Sequence, residues 1–276
     1  MAALLCWLDA RSRGAQLLLR LEDLDSTRLR AGQREEMRAA LAWLGLDWDA
    51  CQLQSELAEQ HQEALDTLAG QGLLYPCSCS RRELRQRCQA APGGGVAYDN
   101  RCRARELPAA GWREIGEPLR VRLPNHSVQL IDESGLNLSQ LPILEMGDPL
   151  VRRRDGSLAY QLAVVVDDAA SEVNRIVRGR DLATSTATQY LLQELLGAPH
   201  PCYRHHFLLL EEQGTKLAKL HGSIPFQDIA AQYEAPEFCG LLAKLSGLQE
   251  SAQPCTPQAL LPDFTWDNVR DEDLVY

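Results

Sequence analysis

Four short stretches of this chain carry side chains whose types and spacing suit chemistry. Cys77-Ser78-Cys79, followed by Tyr98-Asp99-Asn100-Arg101-Cys102, puts three thiols and a phenol into a Gly- and Arg-rich region of little apolar periodicity. A structural zinc ion takes four ligands in a tetrahedron, and a small segment with little core of its own gains most from such a clip. The pattern therefore reads either as a zinc site, with Tyr98 or Cys88 as the fourth ligand, or as a cluster of reduced thiols without metal. Arg178-Gly179-Arg180-Asp181 follows the apolar pair Ile176-Val177. An Arg at a strand end, with Gly beside it, can meet a carboxylate or phosphate through paired hydrogen bonds. The other reading of Arg178 is a structural bridge to Asp167 or Asp168. Glu22 closes the run Leu17-Leu18-Leu19-Arg20-Leu21 and suits an ammonium group, or else simply holds Arg20 or Arg28. Thr215-Lys216-Leu217-Ala218-Lys219 contains two of the three lysines in the chain. Ammonium groups on such a loop can stabilise charge developing on a phosphate, and the plain alternative is an exposed turn.

The elements that must position these groups alternate between strand and helix. Residues 1–13 read as an amphipathic helix with Ala3, Leu4, Leu5 and Leu8 facing a core, Gly14 as its C-terminal cap, and a short apolar strand after it. This is the second half of a βαβ unit whose first strand would precede Met1. Asp25 or Ser26 caps a helix carrying Met37, Leu41 and Leu44 and stopped by Gly45, and a further helix runs from about 56 to 68. From Tyr75 to about Leu123 the chain reads as an insertion. Residues 158–169, LAYQLAVVVDDA, suit a strand or a helix ending at Asp167-Asp168. A buried strand at Ile176-Val177 follows, then a helix capped by Ser185-Thr186 and closed by Gly197, then a strand from His205 with a turn at Gly214. Short helices with Pro breaks occupy the rest. The order implies an α/β sheet split in its middle, with ligands at the carboxyl ends of strands, where Glu22, Asp167 and Arg178 are expected.

Bulk composition narrows the classes. At 276 residues the chain suits one main domain with an insertion or appendage. A net charge of −10 argues against a generic nucleic-acid coat, because phosphates need cations. The charge is uneven, however: between Cys77 and Arg122 ten Arg face five acids, whereas residues 226–276 carry nine acids against Lys244 and Arg270. One basic face can thus still meet an acidic polymer, unless those Arg are only a solvated surface. Nine scattered Cys do not form a secreted disulfide framework, and Cys6, Cys51, Cys202 and Cys239 read as small core or boundary side chains. No run is long enough to span a membrane, and MAALLCWL lacks the basic flank of a secretion signal, so a cytoplasmic protein is expected.

Taken in order, LLLRLEDLD, WLGLDWD, GLLYPCSCSRREL, YDNRCR, AYQLAVVVDDA, IVRGRDLATSTATQ and KLAK resemble the class I glutamyl-tRNA synthetase catalytic half, and within it the glutamyl-Q tRNA(Asp) synthetase family, which lacks an anticodon-binding domain. The resemblance implies a Rossmann-like core with a zinc-bearing insertion and a short helical appendage. It implies a core in 1–72 and 158–222, an acceptor-binding-like insertion in 73–157, and a stem-contact-like appendage in 223–276. It implies ATP- and Mg2+-dependent activation of L-glutamate by a monomer and transfer of the glutamyl group to queuosine in tRNA(Asp). Carried over by residue, Glu22 would hold the ammonium group of glutamate, and Tyr160 and Arg178 its carboxylate end. Asp181 would lie on the nucleotide side, Lys219 and Lys216 would stabilise the leaving pyrophosphate, and Cys77, Cys79, Tyr98 and Cys102 would bind Zn2+. The family's opening strand, with its substrate-gripping Arg and HIGH-type segment, does not occur in the chain, and Ala218 stands where its lysine loop carries Ser. Two accounts of the opening follow: a start placed upstream of Met1, or a HIGH-less paralogue that binds glutamate or tRNA without catalysis. A truncated tRNA(Glu)-charging paralogue is disfavoured by the acidic end.

Overall fold

In the computed structural model, which describes residues 1–24, 32–211 and 225–275, the chain opens on helix α1 (Ala2–Ser12). Leu4, Leu5, Trp7 and Leu8 are buried along one stripe, and Gly14, at φ +62°, ends the helix with its N–H on the Arg11 carbonyl. Strands β1 (Leu18–Leu21) and β2 (Ala50–Leu53) pair in parallel, and helix α2 (Gln33–Trp43) lies in the crossover between them. The described α2 begins after Gly32; Asp25 and Ser26, expected to cap it, lie outside the described residues. Met37 is 45 % exposed, so α2 turns no fully apolar face to a core.

Helix α3 (Ala58–Gly70) buries Ala64, Leu65 and Leu68. Strands β3 (Leu74–Pro76), β4 (Leu119–Val121) and β5 (Leu150–Arg152) form an antiparallel sheet in that order, with helices α4 (Arg81–Arg87) and α5 (Pro142–Glu145) in its connections. Helix α6 (Tyr160–Ala170) follows, which decides the strand-or-helix question at AVVV in favour of helix. Leu162 to Val166 are all buried because α6 lies between α3 and helix α7 (Thr186–Leu196), so burial on several sides outweighs the strand preference of three consecutive Val.

Strands β6 (Arg175–Gly179) and β7 (Cys202–His206) form a second parallel pair across α7, placing Arg178 opposite His205. Strand β6 is half-buried rather than buried up to Gly179. Gly197, at φ +66°, closes α7, but Ser185 makes no side-chain cap, and the Thr186 hydroxyl is taken by Arg178. Strand β8 (Leu209–Leu210), helices α8 (Phe226–Gln232), α9 (Ala235–Ser246) and α10 (Pro257–Leu260), and strand β9 (Leu274–Val275) complete the described elements, β8 pairing with β9. The expected turn at Gly214 lies outside them. Among the described residues the strands form separate small sheets rather than one split sheet. No described helix is long and apolar enough to cross a membrane.

One core packs α3, α6 and α7 against β4 and β5; the other joins α1 to α9, Phe207 and residues 260–269. Asp9 ties the second core together. Buried on α1, its carboxylate accepts from Arg175 Nε on β6 at 2.5 Å and from Trp266 Nε1 at 2.7 Å. Burial pushes its pKa up, but the bonds from Arg175 and Trp266 outweigh that and hold it below the ordinary carboxylate range. A depressed pKa means that this stabilisation is full above the unfolded value, about pH 4, and is lost as pH falls through the folded one. Arg175 keeps Glu133 at 2.6 Å, so Asp9→Asn should cost about 2 kcal/mol at pH 7, the value of a charged hydrogen bond, and should flatten the loss of stability below pH 4. Urea unfolding of both proteins between pH 7 and pH 3 measures this.

Candidate functional site

The guanidinium of Arg178 sits at the carboxyl end of β6, and every acceptor it finds among the described residues is neutral. Nε donates to His205 Nε2 at 3.0 Å, Nη1 to Gln189 Oε1 at 2.9 Å, and Nη2 to Thr186 Oγ1 at 2.8 Å and to the Leu182 carbonyl at 3.4 Å. The expected alternative, a bridge to Asp167 or Asp168, is not formed. Burial lowers its pKa, while Tyr160, Tyr203, Asp168 and Asp181 nearby pull it back up, and a guanidinium stays charged throughout. A fixed cation without a hydrogen-bonded carboxylate is suited to an incoming anion.

Tyr160 opens α6 and is 42 % exposed, and its phenol lies within the field of both Arg178 and Glu22. Glu22 follows β1 directly, as expected of a strand end. Its carboxyl is pushed above the ordinary range by the protein around it, with Arg20 opposing and Asp167 and Asp168 adding to the rise. Among the described residues Glu22 has no ion pair; Arg20 pairs with Asp168 instead, and Arg28 lies outside them. Asp167 is not at a strand end. It is buried within α6, accepting from Gln54 and bonded to His61 Nε2 at 2.6 Å, because α6 turns it toward α3.

Gly179 explains how Asp181 reaches this end of the strand. A Cβ at 179 would stand 2.6 Å from Asp181 Oδ1 and 3.1 Å from Leu208 Cδ2, so a side chain there would push the Asp181 carboxylate from its present position. Lys216 and Lys219 lie outside the described residues. Sequence reasoning missed His205, Asp132, Thr186 and Gln189. Part of the signal was there: Thr186, Gln189 and Gln193 form a polar stripe at helical spacing on α7, and all three are buried.

The second constellation lies behind β3. The sulfurs of Cys77, Cys79 and Cys102 all fall within 4.8 Å of one another, and Cys88 is not among them. Tyr98 Oη lies 3.5 Å from Cys77 Sγ and accepts the Cys102 N–H at 2.9 Å. Arg120 stacks on the Tyr98 ring at 3.5 Å and donates Nε to Cys77 Sγ at 3.3 Å, while Arg87 reaches Cys79. Burial raises the Cys102 pKa, but hydrogen bonds from Tyr98 and Cys79 and from the Ser78 backbone outweigh it, so the thiol is shifted toward thiolate. Three converging sulfurs with cationic donors behind them are the chemistry of a metal-thiolate site. Of the cysteines expected as core or boundary side chains, Cys239 is buried and Cys6 half-buried, whereas Cys51 and Cys202 are exposed.

The local excess of Arg is largely spent internally. Arg87, Arg103, Arg105, Arg113 and Arg122 pair with Asp99, Asp148, Glu117, Asp66 and Glu106. Arg81, Arg82 and Arg85 on α4, with Arg101, remain exposed.

Comparison with known proteins adds a family. Residues 1–250 match the model of the class I (E and Q) tRNA synthetase catalytic domain. The glutamyl-Q tRNA(Asp) synthetase of Symbiobacterium thermophilum is 40 % identical over 95 % of this chain and 86 % of its own length, and that of Nocardia farcinica is 40 % identical over 95 % and 83 %. Among solved structures, a glutamate tRNA ligase from Elizabethkingia meningosepticum, in complex with its amino acid, superposes with a TM-score of 0.77 at 21 % identity. That match takes in all of this chain but only 63 % of the ligase, and at such identity the likeness is one of fold.

The thiol site depends on one close approach. Gly147, at φ +75°, lies so near the Tyr98 backbone that a Cβ would stand 2.0 Å from its carbonyl oxygen. Gly147→Ala should destabilise the protein by about 1–3 kcal/mol and make Cys77 and Cys102 react faster with Ellman's reagent at 25 °C. Unchanged thiol kinetics would show that Tyr98 is held by other means.

Proposed function

The chain belongs to the class I (E and Q) tRNA synthetase catalytic-domain family, and on that premise we propose that it activates L-glutamate with ATP and passes the glutamyl group to queuosine in tRNA(Asp). The relatives' shared name supports the acceptor, and the Arg178 site supports the substrate. The single observation that carries the reading is a charged Arg178 whose hydrogen-bond acceptors among the described residues are all neutral, with Tyr160 in the field of both Arg178 and Glu22. A dicarboxylic amino acid answers each group: a carboxylate for Arg178 and Tyr160, and an ammonium for Glu22.

In this reading a carboxylate oxygen of glutamate attacks the α-phosphorus of Mg2+-bound ATP, the bond to the β-phosphate oxygen breaks, and pyrophosphate leaves. Arg178 and Glu22 hold the amino acid so that attack is intramolecular in effect. Asp181 serves the nucleotide side, and Lys216 and Lys219 neutralise the departing pyrophosphate. A hydroxyl of the acceptor base then displaces AMP from the glutamyl adenylate. Residues 1–72 and 158–222 form the core, 73–157 the insertion and 223–276 an appendage along the RNA stem, in a cytoplasmic monomer.

Cys77, Cys79, Cys102 and Tyr98 would hold Zn2+, and that ligation would tie the turn after β3 to residues 98–102. The convergence of the three sulfurs supports the assignment.

Two measurements test the reading. Glutamate-dependent exchange of pyrophosphate into ATP, without RNA, is expected, and Arg178→Ala should raise the KM for glutamate about 10- to 100-fold, the value of a charged hydrogen-bond partner. No exchange from folded protein that still binds glutamate would instead support the binding paralogue. Cys77→Ser should lose bound zinc, by atomic absorption, and lower Tm by several degrees. Unaltered zinc content would overturn the metal assignment.

A further inference from the structure

The Nε–H of Arg178 has one acceptor, the Nε2 of His205, at 3.0 Å. That nitrogen can accept only if the imidazole is neutral with its proton on Nδ1. Nδ1 lies 2.8 Å from Asp132 Oδ2, and the same carboxylate oxygen also accepts the His205 backbone N–H at 2.8 Å. Its other oxygen takes the N–H of Ser134 at 2.9 Å, the Ser134 hydroxyl at 2.6 Å and the N–H of Leu136 at 3.0 Å. Asp132 is thus saturated with donors, and its side chain and that of His205 are fully buried. The other groups facing the ring are Thr186 Oγ1 at 3.4 Å, the Tyr203 ring stacked at 6.3 Å, and the charge of Arg180. Burial, reinforced by Arg178 and Arg180, lowers the pKa of His205 in spite of Asp132, in keeping with a neutral ring at pH 7.

The guanidinium has five N–H groups, and its four hydrogen bonds among the described residues leave one, on Nη1, for a ligand. We propose that Asp132 and His205 are positioning residues for Arg178: Asp132 fixes the Nδ1–H tautomer, and His205 Nε2 then sets the rotation at which Arg178 meets the substrate carboxylate. The inference rests on Arg178 being the carboxylate contact. It adds a residue from the 128–140 loop, far from the reacting groups in sequence, to the control of amino-acid affinity.

Two substitutions at one position separate positioning from bulk packing. His205→Asn keeps an amide donor where Nδ1 stands and removes the acceptor, whereas His205→Gln puts a side-chain oxygen near the position of Nε2. The expected result is that His205→Asn raises the KM and the calorimetric Kd for L-glutamate about tenfold, with kcat and the KM for ATP close to wild type. His205→Gln recovers most of that affinity. Equal losses in both variants, or no loss in His205→Asn, would overturn the inference. If Arg178→Ala also leaves glutamate binding intact, the substrate reading falls with it; if Arg178→Ala is impaired and His205→Asn is silent, only the positioning role falls. Long-range 1H–15N correlation of the wild-type imidazoles should find His205 protonated on Nδ1 at pH 7, and an Nε2–H tautomer would overturn the proposal independently of activity.

Discussion

A positive charge held at the end of a strand by acceptors that are all neutral among the described residues is the arrangement around which the β6–β7 region is built. Desolvating a guanidinium without a carboxylate partner is unfavourable, and the structure accepts it only because four neutral acceptors are brought to one place. Supplying them requires the β6–β7 register that sets His205 beside Arg178, the first turn of α7 for Thr186 and Gln189, and the turn after Gly179 that brings up the Leu182 carbonyl. The acids nearby are meanwhile engaged elsewhere. Asp168 goes to Arg20, and Asp167 to His61 and Gln54, so neither hydrogen-bonds Arg178.

The thiol cluster obeys the same logic with the charges reversed. Sulfurs that carry negative charge when ionised are gathered where Arg120 and Arg87 can donate to them, and Arg120 is itself steadied against the Tyr98 ring. The Arg-rich composition of this region therefore has a largely internal explanation. Five of its arginines are engaged in ion pairs that fasten loops with little apolar content, and the four exposed ones outside those pairs lie on α4 and the neighbouring turn.

What the sequence revealed depended on how local the cause was. Gly14 and Gly197 end helices because their φ is positive, a property of single residues, and both were legible. The joint order of motifs identified the family, and the Cys77, Cys79 and Cys102 spacing anticipated the sulfurs that converge. Causes that act across the chain were not legible. Three Val in a row carry no sign that two helices will enclose them, and Asp167 reads as a strand end until α6 turns it inward. Ser185 and Thr186 look like a cap, yet Arg178 claims the Thr186 hydroxyl. Asp132 and His205 stand 73 residues apart, and no local pattern marks either as the partner of the other.

The contact between Asp9 and Trp266 spans 257 residues, and the apolar stripe of α1 is completed by α9 and the segment after it. α1 is therefore made long before α9, and until α9 leaves the ribosome Leu4, Leu5 and Leu8 lack part of their native cover, a period in which exposed apolar surface is open to chaperones and to aggregation. A nascent chain halted before α9 would leave the stripe of α1 only partly covered, by Leu46 and its neighbours.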